Sequence, residues 1–392
     1  MGPEVDVAIV GAGPAGAASA LYAARAGMRV ALFDRAAFPR DKVCGEGIMP
    51  PGRRVLEELG LLAPVLEAGA HDLRAVEFGL AGAPARRIAF PAPEAAGPTA
   101  SVFGLGVRRL AFDALLVEHA AAQPGIAFHP STAVAGITPG NGSPPLVRTS
   151  AGDVAAGHVI VADGLHSSLR HQLGWTVGPR PPHRYGVMAH WTVDRPQDPW
   201  IGITISAGLE VYEAPVGPHE RLVSILCHRS RMRAFGGNLA REYRSIVDDL
   251  VPGLAGAELT GEVRAIGPFN YRARTVARDR VYLVGDAAGF VDPISAEGLA
   301  AGLTQARAVI AALRDPHPER AYRRAHRRLT RDPRRVSALL VSLASTPARA
   351  ARGIRGIDRR PALMAALLGI NFGYWGFDRI SVRDWIRLLA GR

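Results

Sequence analysis

Gly11-Ala12-Gly13-Pro14-Ala15-Gly16 follows the β-branched run Val5–Val10 and leads into an alanine-rich stretch reaching Ala26. A strand, a glycine turn and a helix in that order make the fingerprint credible as a dinucleotide-type turn. Gly11 permits the sharp turn, Gly13 lets the backbone approach a pyrophosphate, and Gly16 lets helix and strand pack closely. Pro14 and Ala15 open the helix, whose free N–H groups and dipole favour a phosphate. A second strand, Arg29 to Phe33, ends at Asp34, eighteen residues past Gly16, where an acid that binds an adenosine ribose is expected. Arg35 follows it in the same loop.

Two later segments narrow the reading. Asp163-Gly164-Leu165-His166-Ser167-Ser168-Leu169-Arg170 follows the run Val159–Ala162, and Gly285-Asp286-Ala287-Ala288-Gly289 follows Val281–Val284. With the first fingerprint, these motifs resemble the FAD-dependent flavoproteins built around p-hydroxybenzoate hydroxylase. That group includes the group A aromatic monooxygenases, the geranylgeranyl reductases and the flavin-dependent halogenases. The resemblance spans roughly residues 1–315 and implies that FAD binds along all three segments. It places Asp286 on the ribityl chain and the stretch through Pro293, Gly298 and Leu299 against the flavin ring. It assigns Arg109 to the helix that contacts FAD, and adds Val134, Cys44 and Gly45 to the cofactor shell. A helix starting near Glu297 would direct its positive end at the pyrimidine edge and stabilise an anionic reduced flavin by about 1 kcal/mol, up to ~2 if partly buried.

Local departures bear on the subfamily. Aromatic hydroxylases usually carry histidine where this chain has Gly289, and Gly-Gln-Gly where it has Ala296-Glu297-Gly298. The run Phe38-Pro39-Arg40-Asp41-Lys42-Val43-Cys44-Gly45-Glu46-Gly47 looks like the reductases and halogenases. The aromatic Tyr-x-Trp-x-Phe-Pro signature of prenyl reductases is missing; Val211-Tyr212-Glu213-Ala214-Pro215 keeps its Tyr and Pro alone. The Trp-x-Trp-x-Ile-Pro signature of tryptophan-type halogenases is absent as well.

Two reactions stay open on this reading. The first is NAD(P)H-dependent monooxygenation of an aromatic or polyketide-like small molecule through a flavin 4a-hydroperoxide, in a dry cavity with a base to activate the substrate. Its base would lie on the second sheet, where His190, Tyr212 and His228 are candidates. The alternative is reduction of isolated double bonds in prenyl or lipid substrates. In that case Cys44 gains interest, because Lys42, Arg40 or a helix start could lower its pKa. Halogenation, or modification of a protein or carrier-bound substrate, stands behind both. One dinucleotide fingerprint is present, so NAD(P)H would dock as a transient donor without a Rossmann domain of its own.

The expected fold is α/β, with a Rossmann-like FAD-binding domain assembled from residues 1–72, 101–180 and 269–320. A discontinuous β-sheet substrate domain would form from 73–100 and 181–268, where short alternating strands dominate. Pro139–Pro145 reads as a loop tip. Residues 321–392 would be an Arg-rich helical region. Its most apolar stretch, Leu363–Phe377, falls short of the ~20 residues a membrane-spanning helix needs. It reads as a cap on the core, with a substrate lid or a peripheral membrane contact as alternatives.

Composition excludes other classes. The chain has 392 residues, 48% of them hydrophobic and 21% charged, which is globular composition and enough for two or three domains. The formal charge of +12 suggests nucleic acid, yet Lys42 is the one lysine among 47 basic residues. A coding bias toward arginine explains that balance, and no nucleic-acid module appears. Two cysteines, Cys44 and Cys227, make neither a disulfide framework nor a metal site by themselves. With no signal peptide ahead of the first strand, the expected location is cytoplasmic. The expected substrate is a small apolar or aromatic molecule.

Overall fold

The computed structural model describes residues 3–94, 102–140, 142–194, 197–206 and 208–385. Residues 95–101 of the expected domain boundary, Asn141 in the expected loop tip and the last seven residues of the tail lie outside them.

β1 (Val5–Val10) occupies the middle of the first sheet, paired in parallel with β2 (Val30–Phe33) on one side and with Gly152–Val161 on the other. Ile126–His129 extends the sheet beyond β2, and Val281–Leu283 extends it beyond Gly152–Val161, both in parallel. Val7, Ala8 and Ile9 have no exposed surface. Such an apolar run, rather than an alternating one, is what a parallel strand covered on both faces requires. α1 (Pro14–Arg25) covers one face and leans on the helix Gly298–Leu313. The approach is close: a Cβ on Gly302, or on Gly285, would stand 3.2 Å from Ala15 Cβ.

A second sheet of seven strands runs in the order 258–266, 184–192, 220–228, 209–215, 200–206, 75–80, 86–89. Its pairs are antiparallel except that of 200–206 with 75–80. Alternation along Arg184–Thr192 divides its side chains. Val187, Ala189 and Trp191 pack under the helix Leu239–Leu250, while Met188 packs with Val216 and Leu222. The buried indole N–H of Trp191 donates to Tyr243 Oη at 3.1 Å, and that hydroxyl donates to the Val223 carbonyl at 2.9 Å. The strand-dominated reading did not anticipate Leu239–Leu250. It buries Tyr243, Ile246 and Val247 at helical spacing beneath a charged outer face.

One other element reading shifts. The sequence from Arg53 to Gly60 reads as a helix; the helix begins at Pro50 instead and runs to Glu58. Proline at the first helical positions loses no intrahelical bond, so Pro50-Pro51 starts the helix rather than blocking it. Gly52 on this helix is a packing residue, since a Cβ there would lie 2.8 Å from Ala300 Cα.

The tail forms helices Pro318–Ala344, Pro347–Asp358 and Pro361–Asn371. Leu363, Leu367, Ile370 and Phe372 are buried against Val76, Phe78, Phe90 and Ile201 of the second sheet and its flank, with the Phe90 and Phe372 rings 5.2 Å apart edge to face. The apolar stretch therefore caps a core. Among the described residues, no helix is long and apolar enough to cross a membrane.

A Cβ on Gly16 would fall 1.7 Å from the Gly11 carbonyl oxygen, whereas one on Gly237 meets nothing. We expect Gly16→Ala to destabilise the protein by about 3 kcal/mol or more, as overpacking against backbone does at its upper end. Gly237→Ala should leave the denaturation midpoint within experimental error, and urea titration of both variants checks the contrast.

Candidate active site

The glycine turn is built from backbone constraints. Gly11 has φ +99°, and its N–H donates to the Phe33 carbonyl at 2.8 Å. A Cβ at that position would stand 2.5 Å from the Ala162 carbonyl oxygen. Asp34 braces the turn: one carboxylate oxygen accepts from the Ala12 N–H at 2.8 Å and the other from the Ala36 N–H at 2.9 Å. Gly13 opens toward cations, with a Cβ built there 3.4 Å from the Arg40 guanidinium and 4.0 Å from that of Arg109.

Those cations are held in place. Arg109 forms a buried two-point ion pair with Asp113 one turn along its helix, at 2.6 and 2.7 Å. Arg40 bridges Asp113 at 3.2 Å and Asp34 at 3.4 Å. Lys42 projects its ammonium toward Gly164, and burial together with Arg109 pulls its pKa down. Three cations converging on a glycine turn and a helix start form a cradle for a polyanion such as the pyrophosphate of FAD.

Arg170 joins the other two motifs. The residue is 1% exposed, and its guanidinium donates to the carbonyls of Leu165 (2.9 Å), Asp286 (3.2 Å) and Ala287 (2.9 Å). Ser167 Oγ caps the short helix behind it by accepting from the Arg170 N–H at 3.0 Å. Asp163 accepts from the Leu169 N–H with one oxygen, while its other oxygen is buried without a partner. Burial pushes the carboxyls of Asp163 and Asp286 upward, and Lys42, Arg109 and Arg170 oppose that rise at Asp286. An orphaned acceptor and a desolvated carboxylate facing the cavity fit a ligand rich in hydroxyl and N–H donors, which the ribityl chain and flavin ring supply.

The three motifs share one cavity of about 690 Å³, closed on the far side by the second sheet. Of the residues expected to contact FAD, Gly16 alone does not line it, because Gly16 packs against Gly11. Val134, Pro293 and Leu299 stand on its wall with the motif residues.

The expected catalytic candidates separate. Cys44 lines the cavity, its sulfur accepting from the Glu46 N–H at 3.3 Å. Burial nevertheless outweighs the nearby Arg109 charge and raises the thiol pKa, so the expected activation of Cys44 by Lys42 or Arg40 is not realised. His190 is off the cavity wall. Its Nε2 lies 2.8 Å from Glu46 Oε2, and it secures the Cys44 loop. His228 is exposed on the far end of its strand and caps the helix Arg229–Ala234, away from the cavity. Tyr212 does face the cavity; its hydroxyl donates to Glu210 at 3.2 Å, and burial with the Glu210 charge raises its pKa well above the usual phenol value.

The sequence reading missed several groups. Glu46 is fully buried at φ +53°, and its carboxylate also accepts from the Arg109 N–H at 2.8 Å and from Arg108 at 3.2 Å. Arg184 pairs with Glu210 at 2.6 Å and with Asp292 at 3.1 Å, tying the second sheet to the loop after Gly289. Such pairings join residues remote in sequence and carry no local signal. Glu297, at the start of the helix Gly298–Leu313, is raised by burial to about 8. A carboxyl raised in the folded state favours folding below its unfolded pKa and costs stability as pH rises through the folded value. We expect the wild-type protein to lose about 1 kcal/mol relative to Glu297→Gln between pH 7 and 9, read from parallel denaturation curves. Equal pH dependence in both proteins would place the ionisation elsewhere.

Residues 4–344 match the model of a family described as FAD binding domain. A menaquinone reductase from Mycolicibacterium smegmatis is 30% identical over 325 residues, covering 78% of this chain and 76% of that protein. A kynurenine 3-monooxygenase from Salinispora arenicola is 32% identical over 184 residues, 43% of this chain and 37% of that one. Among solved structures, a flavoprotein/dehydrogenase from Cytophaga hutchinsonii has the same fold, with a TM-score of 0.81 at 20% identity over 94% of this chain and 93% of that one. With a glycine cradle, a cation cluster and a common cavity already in place, these matches establish that the chain belongs to the FAD-binding domain family and is an FAD-dependent oxidoreductase.

Proposed function

We propose that the protein is an FAD-dependent reductase acting on a carbon–carbon double bond of an apolar prenylated quinone or a related lipid. The observation that carries this reading is the wall facing the flavin motifs. It presents Met188, Ile201, Leu222, Leu226, Ile266 and Phe269, and neither of the histidines expected to serve as a phenol base reaches it. The menaquinone reductase likeness over most of the chain supports the same substrate class.

On this reading Gly13 and the helix start at Pro14, with Arg40, Lys42 and Arg109, hold the pyrophosphate, and Asp286 binds the ribityl chain. FAD, once bound, supplies the electron pair, taken beforehand from NAD(P)H. The apolar wall seats the substrate and excludes water. Double-bond reduction adds two electrons and two protons, one proton travelling with the electron pair as hydride, and Tyr212 Oη holds the other. Burial and the Glu210 carboxylate, which is fixed by Arg184 and accepts from that hydroxyl, keep it protonated. His190 and Glu46 position the Cys44 loop without touching the reacting atoms.

Oxygenation is the second reading, supported by the kynurenine 3-monooxygenase likeness over 43% of the chain. Product mass separates the two. Anaerobic incubation with NADPH and menaquinone should give a product heavier by two hydrogens, whereas a product that requires oxygen and gains one oxygen atom would replace the reductase reading. Tyr212→Phe should retain FAD and its reduction by donor while slowing substrate-dependent reoxidation about 100-fold, within the range of general acid catalysis. A rate unchanged by that substitution would remove Tyr212 from the mechanism. For the cofactor itself, Gly13→Glu should fold yet purify colourless, and Asp286→Ala should bind FAD more than tenfold weaker, as loss of a charge-assisted contact implies. Visible absorbance and equilibrium dialysis measure both.

A further inference from the structure

A second cavity, of about 580 Å³, lies behind the flavin-facing loop. It shares Gly285, Asp286, Phe290 and Gly298 with the first, so a ligand in it abuts the same motif from the other side. Five arginines line it, contributed by the helices Pro50–Glu58, Gly298–Leu313 and Pro318–Ala344. Two are neutralised: Arg53 by Glu57 at 2.7 Å and Arg307 by Glu58 at 2.6 Å. Arg54, Arg328 and Arg334 have no acid partner among the described residues.

Arg334 is the most telling of the three. Its guanidinium reaches Gly289, where a Cβ would stand 3.1 Å from it. Gly289, with φ +126°, thus leaves room for a cation where aromatic hydroxylases carry histidine. Burial and neighbouring Arg272 depress the Arg334 pKa to about 10, as expected of a desolvated cation lacking its counter-charge. Glu297 does not supply that charge, because burial keeps it protonated at neutral pH. Deeper in the cavity, Asn371 is 4% exposed; its amide N–H groups donate to Ser295 O and Glu297 Oε1, and its Oδ1 is buried without a partner. An unused acceptor beside unpaired cations calls for a ligand that carries both negative charge and hydrogen-bond donors.

We propose that this cavity docks the nicotinamide dinucleotide donor, with its diphosphate on Arg54, Arg328 and Arg334 and a sugar hydroxyl or carboxamide N–H on Asn371. A dinucleotide has those donors beside its diphosphate, whereas a prenyl diphosphate has no hydroxyl or amide to offer Asn371. The site accounts for donor binding by a chain with a single dinucleotide fingerprint, already committed to FAD. It does not depend on whether the reduced flavin serves a double bond or oxygen.

The test uses FAD-loaded protein and ADP-ribose, a redox-inactive probe, titrated by calorimetry. ADP-ribose should bind in competition with NADPH and weaken as salt rises. Arg54→Gln and Arg328→Gln, both at exposed positions, should each weaken it roughly tenfold, the loss of one charge-assisted hydrogen bond. Asn371→Leu, which removes the buried acceptor, should weaken NADPH binding, with FAD content unchanged. ADP-ribose affinity unaltered in the Arg54→Gln/Arg328→Gln double variant would overturn the proposal. So would binding of farnesyl diphosphate, but not ADP-ribose, that the same double variant abolishes. Because these readouts are binding alone, a failed double-bond reductase reading leaves them intact.

Discussion

The contact between Gly16 and the Gly11 carbonyl sets the geometry on which the rest of the molecule depends. No side chain fits between the end of β1, the start of α1 and the Ala162 carbonyl, so the turn is closed by backbone alone. That closure brings α1 low over the sheet, where Ala15 meets Gly285 and Gly302, and fixes the third motif relative to the first. The cavity is therefore bordered by close-packed backbone, which shifts less than side chains can.

Around that frame, buried charge does the positioning. Glu46 fastens the Cys44 loop to His190, Arg108 and the N-terminus of the Arg109 helix, while Arg170 joins the second and third motifs through three carbonyls. Arg184 spans Glu210 and Asp292, so the substrate-facing sheet and the flavin-facing loop are held by one guanidinium. Buried ion pairs are weak evidence for net stability, because desolvation offsets most of their attraction. Their position, at the joints between the two sheets and the cofactor loops, is what a site needing fixed geometry requires.

Much of this was legible in the sequence because it depended on local spacing. β1, α1 and β2, the helix from Arg109 and the four strands between 184 and 228 follow from runs and turns within a few residues. The glycine turn was legible where backbone geometry demands glycine, as at Gly11 and Gly16, whereas Asp286 entered through its motif alone. The site was illegible where side chains from distant segments meet: nothing near Glu46 announces His190, 144 residues away. His228 illustrates the reverse error. It lies on the same strand as Leu222 and Leu226, both on the cavity wall, but the strand carries it past the cavity to the surface. The start of the helix at Pro50-Pro51 was not anticipated, because position within a helix, not composition, decides what proline does.

The strand order of the first sheet also constrains when the protein can become functional. β1 stands between β2 and Gly152–Val161, Val281–Leu283 joins only afterwards, and Asn371 reaches back to Ser295 and Glu297. On a ribosome these partners emerge over nearly the whole length of the chain. The glycine turn is made first but has neither its third motif nor the contact of Asn371 until those later segments have been synthesised. Cofactor capture thereby waits for the third motif, and a chain truncated before it would present an incomplete, apolar cleft rather than a flavoprotein.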